Sequence, residues 1–208
     1  MLKPTLDEVK AYAQTGLYDV IPVAMELLAD VNTPVEVMKI LLNVSNHCYM
    51  LESAGDSEHW GRYTFLGYAP KLELTCVDGE MKVDGVTINT KNPGQYIREI
   101  LGQNRSPAME GFPSFTGGLV GYFSYDYLKY AEPSLHLDGA DTEGFKDFDL
   151  MLFGKVIAFD HYRQKIILLV NISLLHPEEE YNRAKMELKQ MADLICYGEP
   201  KQALSGRM

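Results

Sequence analysis

The stretch from Leu72 to Asn89 most strongly limits the folds open to this chain, because it predicts three short strands in succession. Two Asp-Gly pairs, at residues 78–79 and 84–85, separate segments that read as strands. An Asp-Gly pair supplies the positive φ angles that a two-residue hairpin requires. The stretch therefore predicts an antiparallel meander with strands Leu72–Val77, Glu80–Val83 and Val86–Asn89.

A second, more apolar pair of strands is predicted over Phe148–Asp160 and Gln164–Ser173, joined by the short connection His161-Tyr162-Arg163. Parts of both strands are apolar on both faces, which indicates burial on both sides and a central position in a sheet. Hairpins and meanders without a regular alternation of strand and helix predict the α+β class with antiparallel sheets.

Four segments carry the signals of helix termini. Two begin with a capping box, in which a Thr is followed three residues later by a Glu, and Pro stands near the start of three. The predicted helices start at Thr5, Thr33, Asn92 and Pro177 and end near Gly16, Asn43, Gly102 and Gly198. The third is expected to turn four side chains inward: Tyr96, Ile97, Ile100 and Leu101. The fourth carries one apolar stripe: Tyr181, Ala184, Leu188, Met191 and Ile195.

The overall charge argues against partners with negatively charged surfaces. Nineteen Lys and Arg against 29 Asp and Glu give a net charge of −10, which repels phosphate backbones and anionic lipids. No apolar run approaches the roughly 20 residues that span a bilayer, and the acidic N-terminus predicts no secretory signal. Three cysteines without CxxC spacing indicate a reducing compartment. We therefore expect a cytoplasmic protein that binds neither nucleic acid nor a membrane.

Common catalytic and metal-binding patterns are absent from the sequence. The five His residues are scattered without the spacing of metal ligands. The run Gly117-Gly118-Leu119-Val120-Gly121 lacks the register of a nucleotide loop, so its glycines indicate a close approach of backbone or of an aromatic ring. The sequence predicts no catalytic residue and no metal site within this chain.

Two neighbouring segments nevertheless combine polar groups in an unusual way. The strand-like run His47–Gly55 contains an acid and a hydroxyl, Glu52 and Ser53, and the segment Gly61–Gly67 contributes Arg62. Such a set suits the zwitterion of an amino acid. Glu52 can pair with its ammonium group, Ser53 can hydrogen-bond that group, and Arg62 can hold its carboxylate with two hydrogen bonds.

Alternation along the strands sets a condition on this hypothesis. Glu52 and Ser53 point to opposite faces unless a bulge or a strand end occurs at Leu51. The same alternation predicts that Arg62 shares a face with Thr64. From these residues alone, a structural salt bridge between Arg62 and Glu52 is favoured over an amino-acid site.

Four motifs in a fixed order form a pattern that is more specific than any one of them. They are Tyr49–Ser53, Trp60–Gly67, Phe115–Asp126, and Phe148–Phe153 followed by Phe159-Asp160-His161. In this order they resemble the N-terminal region of anthranilate synthase component I, a family of chorismate-utilising enzymes. The resemblance extends over nearly the whole chain.

The resemblance implies an effector site in this chain and chemistry elsewhere. The large component of the family converts chorismate to anthranilate and pyruvate with Mg²⁺, and it takes ammonia from a glutamine amidotransferase partner. Its N-terminal region contributes a Leu-Glu-Ser motif to the site of feedback inhibition by tryptophan. This implies effector-binding roles for Leu51, Glu52 and Ser53, and Arg62 stands where the family has a basic residue.

The length of the chain leads us to expect a part of such an enzyme. The resemblance implies an N-terminal domain over residues 1–198, a frayed tail over 199–208, and no C-terminal chorismate-binding domain, which is also where Mg²⁺ binds in the family. The family fold packs two sheets orthogonally between helical layers, so half of it should expose sheet surface or edges and self-associate. We expect this chain alone to need no cofactor, to leave chorismate unchanged, and to bind tryptophan weakly.

Three other interpretations stay open from the sequence. The large component of 4-amino-4-deoxychorismate synthase, an enzyme of the folate pathway, shares several of the motifs. A regulatory module that binds an amino acid could function without a catalytic domain. A purely structural domain would need no ligand.

Overall fold

The structure is a computed structural model that describes residues 2–30, 32–52, 61–132, 134 and 144–200. It confirms the predicted α+β class, with two antiparallel sheets and several helices. The chain divides into two compact units. Unit 1 comprises residues 1–69, 105–117 and 154–208, and unit 2 comprises residues 70–104 and 118–153.

Unit 1 contains a six-stranded antiparallel sheet. Its strands, in spatial order, are β1 (Leu2–Lys3), β2 (Val20–Leu28), β11 (Lys165–Ser173), β10 (Lys155–Asp160), β4 (Tyr63–Tyr68) and β3 (Cys48–Glu52). β10 and β11 are neighbours at the centre of the sheet and are almost completely buried, as their continuous apolar character predicted.

Three helices of unit 1 begin where the sequence predicts: α1 (Leu6–Thr15), α2 (Pro34–Leu41) and α4 (Pro177–Tyr197). Both predicted capping boxes form, between Thr5 and Glu8 and between Thr33 and Glu36. α2 ends slightly before the predicted end, at Leu41. The five residues of the apolar stripe on α4 are all buried, which confirms that the stripe faces the core.

The two faces of the six-stranded sheet have different neighbours. On one face, which we call the helix face, side chains of the sheet pack with those of α1, α2 and α4; examples are Leu66, Ile157 and Phe159. On the other, the aromatic face, small and aliphatic residues such as Val156 and Ala158 pack with partly buried rings. These rings are Tyr63, Phe65, Phe112 and Phe115.

Unit 2 contains a five-stranded antiparallel sheet whose first three strands are the predicted meander with the predicted boundaries. Its spatial order is β7 (Val86–Asn89), β6 (Glu80–Val83), β5 (Leu72–Val77), β9 (Phe148–Phe153) and β8 (Gly118–Phe123). The unit also contains α3 (Pro93–Gly102) and a 3₁₀ helix (Tyr125–Tyr130).

One residue of α3 does not face inward as predicted. Ile97 is buried, and Tyr96 and Ile100 pack against the core of unit 2, but Leu101 is 46% exposed. At about 100° per residue, the three inward residues cover an arc whose centre lies roughly 90° from Leu101. Leu101 is therefore on the side of the helix, and the prediction for this residue is wrong.

The prediction of one continuous strand over Phe148–Asp160 is also wrong. The segment forms two strands, β9 and β10, that belong to different sheets and are separated by Gly154. A glycine contributes no side chain to a strand and often marks a bend. The Gly154 carbonyl accepts a hydrogen bond from the Asn171 backbone N–H at 2.8 Å.

Among the described helices, none is long and apolar enough to cross a membrane. Residues 201–208 of the predicted tail lie outside the described residues.

Candidate functional site

The structure brings the predicted site residues to the ends of two paired strands. β3 and β4 are antiparallel neighbours, with Leu51 opposite Phe65 and Glu52 opposite Thr64. Glu52 is the last residue of β3, and Arg62 immediately precedes β4. The prediction of neighbouring strand ends is therefore confirmed for these residues. Ser53 lies outside the described residues.

The pleat of the sheet separates Glu52 from Leu51. Directly opposed residues point to the same face, so Glu52 is on the helix face with Thr64. The Thr64 side chain is buried, and its hydroxyl oxygen lies 2.8 Å from Nε2 of His161. Leu51 projects to the aromatic face with Phe65 and is 46% exposed.

Arg62 is held by Asp160, the last residue of β10. Nε and Nη2 of Arg62 donate to the two carboxylate oxygens of Asp160 at 3.1 and 2.7 Å. The Asp160 side chain is 1% exposed, whereas that of Arg62 is 30% exposed. Among the described residues Arg62 forms its salt bridge with Asp160, so the prediction of a salt bridge with Glu52 is wrong.

The position of β4 between two strands explains this partner. β4 is flanked by β3 on one side and β10 on the other, and Asp160 is opposite Tyr63. A buried carboxylate needs a cation or hydrogen-bond donors, whereas Glu52 is exposed and needs no protein partner. Asp160 therefore draws the Arg62 guanidinium to the aromatic face, away from the face of Thr64 on which alternation placed it.

The ion pair is reflected in the pKa values of both groups. Burial alone would raise the pKa of the Asp160 carboxyl, but hydrogen bonds from Arg62 and from the Arg163 backbone N–H outweigh it and lower this pKa. The hydrogen bond to Asp160 is also the main cause that raises the pKa of Arg62. Both groups are therefore charged at neutral pH.

Aromatic rings surround the guanidinium. Its carbon Cζ lies 4.8 Å from the ring centroid of Tyr63 and 5.8 Å from that of the exposed Tyr162. From Tyr63 the rings continue along the aromatic face, with centroids 5.6 Å apart from Tyr63 to Phe65 and 5.6 Å from Phe65 to Phe115. The result is an apolar ring surface that ends at a positive charge.

Gly67 allows a fourth ring to join this surface. It lies opposite Tyr49, and a Cβ atom on Gly67 would be 2.2 Å from a carbon of the Tyr49 ring. The Tyr49 ring therefore occupies the space above the glycine, and it meets Phe115 edge-on with centroids 6.4 Å apart. This agrees with the use of glycine in a strand for close approach of an aromatic ring.

Of the predicted residues, Leu51 and Arg62 share the aromatic face, and Glu52 lies at the same strand end on the opposite face. A guanidinium beside apolar rings can hold a carboxylate while the rings contact an aromatic side chain. Glu52 would reach a ligand only around the end of the sheet.

Sequence reasoning did not assign roles to Asp160 or Tyr162. A signal was present, since Asp160 follows the apolar stretch from Val156 to Phe159 and a charged residue at such a position requires a partner. The pattern could not identify that partner, because Arg62 is far away along the chain.

In the part of the chain that the structure describes, no three His, Cys, Asp or Glu side chains come together as a metal site would require. The expectation that Mg²⁺ binds in another part of the parent protein stays a prediction.

Comparisons with known proteins support the resemblance in the motifs. No family model matches the chain. Anthranilate synthase component 1 of Acinetobacter calcoaceticus is 34% identical over 192 residues, which cover 88% of this chain and 38% of that protein. The protein of the same name from Acetivibrio thermocellus is 34% identical over 182 residues, 83% of this chain and 35% of that protein. That of Aquifex aeolicus is 35% identical over 189 residues, 88% of this chain and 38% of that protein.

A solved structure gives the same result for the fold. Anthranilate synthase component I from Streptococcus pneumoniae TIGR4 matches with a TM-score of 0.51 and 21% identity, over 81% of this chain and 38% of that one. The chain thus spans less than two fifths of the length of these relatives. With the four motifs, the sequence identity and the shared fold in agreement, the chain is similar in sequence and fold to part of anthranilate synthase component I.

Proposed function

We propose that this chain is the regulatory part of an anthranilate synthase component I and carries part of its tryptophan feedback site. The observation that carries this proposal is the 34% identity to a protein named anthranilate synthase component 1 over 88% of the chain. The parent enzyme would convert chorismate and ammonia, or glutamine, to anthranilate and pyruvate in tryptophan biosynthesis. Mg²⁺ and chorismate would bind in the part of the protein that this chain does not span.

The geometry around Arg62 supports an aromatic amino acid as the effector. The guanidinium would bind the carboxylate, and the rings of Tyr63 and Phe65 with the exposed Leu51 would contact the indole. Glu52, the last residue of β3, would pair with the ammonium group. Ser53, the next residue in sequence, would hydrogen-bond the same group. An acidic residue at this position adds selectivity for a zwitterion over a simple carboxylate.

The proposal also assigns partners to the parent protein. A C-terminal chorismate-binding domain of the same polypeptide would complete the effector site and contain the active site. A glutamine amidotransferase subunit would supply ammonia. This chain covers 38% of the length of the Acinetobacter calcoaceticus relative. The rest of that length is enough for a C-terminal domain.

An activity assay tests whether this chain, without the rest of the parent protein, catalyses the reaction. The chain is incubated with chorismate, Mg²⁺ and ammonium, and anthranilate fluorescence is followed, with a full-length relative as the positive control. We expect no product from this chain, because its predicted site residues would bind an effector and are not expected to catalyse the reaction. Anthranilate formation at enzymatic rates would contradict the proposal.

A substitution in the full-length parent enzyme tests the regulatory role. Ser53→Phe should place a bulky ring in the effector site, so tryptophan should no longer inhibit while kcat is retained. Thr87→Phe is the matched control, because Thr87 is an exposed hydroxyl residue in β7 of unit 2. If Ser53→Phe leaves feedback inhibition unchanged, the chain is better described as a structural domain.

Calorimetry with L-tryptophan separates this proposal from a module that functions alone. Because the proposed site is incomplete in this chain, we expect no measurable heat at micromolar concentrations. Micromolar affinity would favour a self-sufficient amino-acid-binding module.

A further inference from the structure

We infer that Asp160 is a positioning residue of the proposed effector site, which fixes the Arg62 guanidinium so that one edge of it faces the carboxylate of the amino acid. This inference rests on the proposed function, since it concerns the same site. The four residues that the resemblance assigns to that site are Leu51, Glu52, Ser53 and Arg62. Asp160 is not among them.

Asp160 can position Arg62 because its own carboxylate is fixed. It lies at the end of the central strand β10 and is 1% exposed. Its Oδ1 also accepts a hydrogen bond from the Arg163 backbone N–H at 3.0 Å. The His161 backbone N–H donates to the Arg62 carbonyl at 2.9 Å, which ties the backbone of Arg62 to the same turn.

The donors that Asp160 engages determine which donors face a ligand. Asp160 accepts from Nε and Nη2, the pair of N–H groups along one side of the guanidinium. A guanidinium has five N–H donors in a fixed plane. The edge formed by Nη1 and the second hydrogen of Nη2 therefore stays oriented for a second carboxylate, with two parallel hydrogen bonds.

The neighbouring rings restrict the remaining freedom of Arg62. Tyr63 and Tyr162 both lie within 6 Å of Cζ, at 4.8 and 5.8 Å, so the guanidinium is placed over rings as well as beside a carboxylate. Arg62 is 30% exposed, which leaves part of it accessible.

The ion pair between Arg62 and Asp160 also changes how Arg62 would recognise the carboxylate of a ligand. Arg62 and Asp160 together carry no net charge, so the attraction of a distant carboxylate is weaker than for an isolated arginine. Selectivity for the carboxylate then depends on the orientation of the N–H groups. Loss of Asp160 should therefore reduce the discrimination between ligands with and without a carboxylate, even though it adds a positive charge.

Ligand discrimination in solution tests this inference. The wild-type chain and Asp160→Asn are titrated with L-tryptophan and, separately, with tryptamine, which lacks the carboxylate, up to millimolar concentrations. Affinities are measured from amide chemical shifts in ¹⁵N-labelled protein. The matched control is Asp149→Asn, because Asp149 also pairs with a cation, Lys146 at 2.6 Å, but belongs to unit 2.

We expect the wild type and Asp149→Asn to prefer L-tryptophan by about tenfold, the effect of a charge-assisted pair of hydrogen bonds. Asp160→Asn should reduce this preference to about twofold or less, because its amide N–H₂ repels Nη2. A preference that Asp160→Asn leaves unchanged would overturn the inference but not the proposed function. If the wild type binds neither ligand, the proposed function fails and the inference fails with it.

A measurement on the wild type covers the case in which Asp160→Asn does not fold. The side-chain Nε–H of Arg62 donates to Asp160, so its resonance should keep its position when L-tryptophan is added, while the Nη resonances shift. A shift of Nε–H comparable to that of the Nη resonances would show that the ligand displaces Asp160, which would overturn the inference.

Discussion

Gly121 allows β8 to lie close to the backbone of β9, because glycine has no side chain. It lies in β8 opposite Leu150, with φ at +157°, and a Cβ atom there would be 1.9 Å from the Asp149 carbonyl oxygen. The obstacle is backbone rather than a flexible side chain. Gly121→Ala should therefore destabilise the fold by about 2–3 kcal/mol, measured as a lower urea midpoint.

Gly102→Ala is the control for this prediction. Gly102 is the last residue of α3, and nothing lies within 4 Å of an added Cβ. Alanine favours helix over glycine, so the change should be neutral or slightly stabilising. Equal effects of the two substitutions would contradict the close approach at Gly121.

The contacts of the candidate site were only partly predictable from the sequence. Local spacing predicted correctly that Glu52 and Arg62 lie at neighbouring strand ends. It could not predict the partner of Arg62, because alternation describes one strand and β4 has two neighbours. The decisive residue, Asp160, is 98 positions away along the chain and acts because it is buried.

Among the elements, the 3₁₀ helix of unit 2 depends on one hydroxyl group. The Tyr130 hydroxyl accepts from the Gly79 N–H at 2.6 Å and donates to Asp147 at 2.6 Å. It thus connects this helix to the first Asp-Gly turn and to the residue before β9. Tyr130→Phe should cost about 1–3 kcal/mol and speed hydrogen exchange at the Gly79 amide.

The control is Tyr125→Phe in the same helix, which should have little effect because Tyr125 is 78% exposed.

The stability contributed by the Tyr130 hydroxyl should depend on pH in the alkaline range. Burial, followed by the hydrogen bond to Asp147, raises the pKa of Tyr130 above its usual value of about 10. A raised folded-state pKa contributes stability that is lost as the pH rises, so the difference between wild type and Tyr130→Phe should shrink above about pH 10.

Elements set by local chemistry were predictable and those set by distant contacts were not. The capping boxes at Thr5 and Thr33 and the Asp-Gly turns depend on residues within a few positions, and all of them form where predicted. The separation of Phe148–Asp160 into two sheets depends on which strands pair on either side of Gly154. Two of these partner strands, β5 and β4, are 70 or more residues away along the chain.

For the whole molecule, the position of β8 at the edge of its described sheet predicts self-association. β8 is the last strand in the described five-stranded sheet and has neither a charged residue nor a proline, the usual protection of an edge. Tyr122 and Phe123 on it are 40% and 50% exposed. We expect sedimentation coefficients that rise with protein concentration, more so in salt that screens the net charge of −10.

Tyr122→Lys should weaken this association. The new ammonium group would lie opposite Asp149, a favourable pair within the sheet, while its charge opposes pairing of two edges. Val86→Lys is the control, because it changes an exposed residue of the other edge strand, β7. A wild-type chain that stays monomeric at all concentrations would contradict the prediction.

We propose that this chain contributes a tryptophan site at the aromatic face of unit 1. The most direct measurement is a titration of the ¹⁵N-labelled chain with L-tryptophan, followed by two-dimensional NMR. We predict weak, saturable shifts in the millimolar range, concentrated in Tyr49–Glu52 and Arg62–Phe65, with unit 2 unaffected. The absence of shifts there, or shifts confined to the open groove between α1 and α4 near Lys10 and His176, would rule out a tryptophan site at the aromatic face.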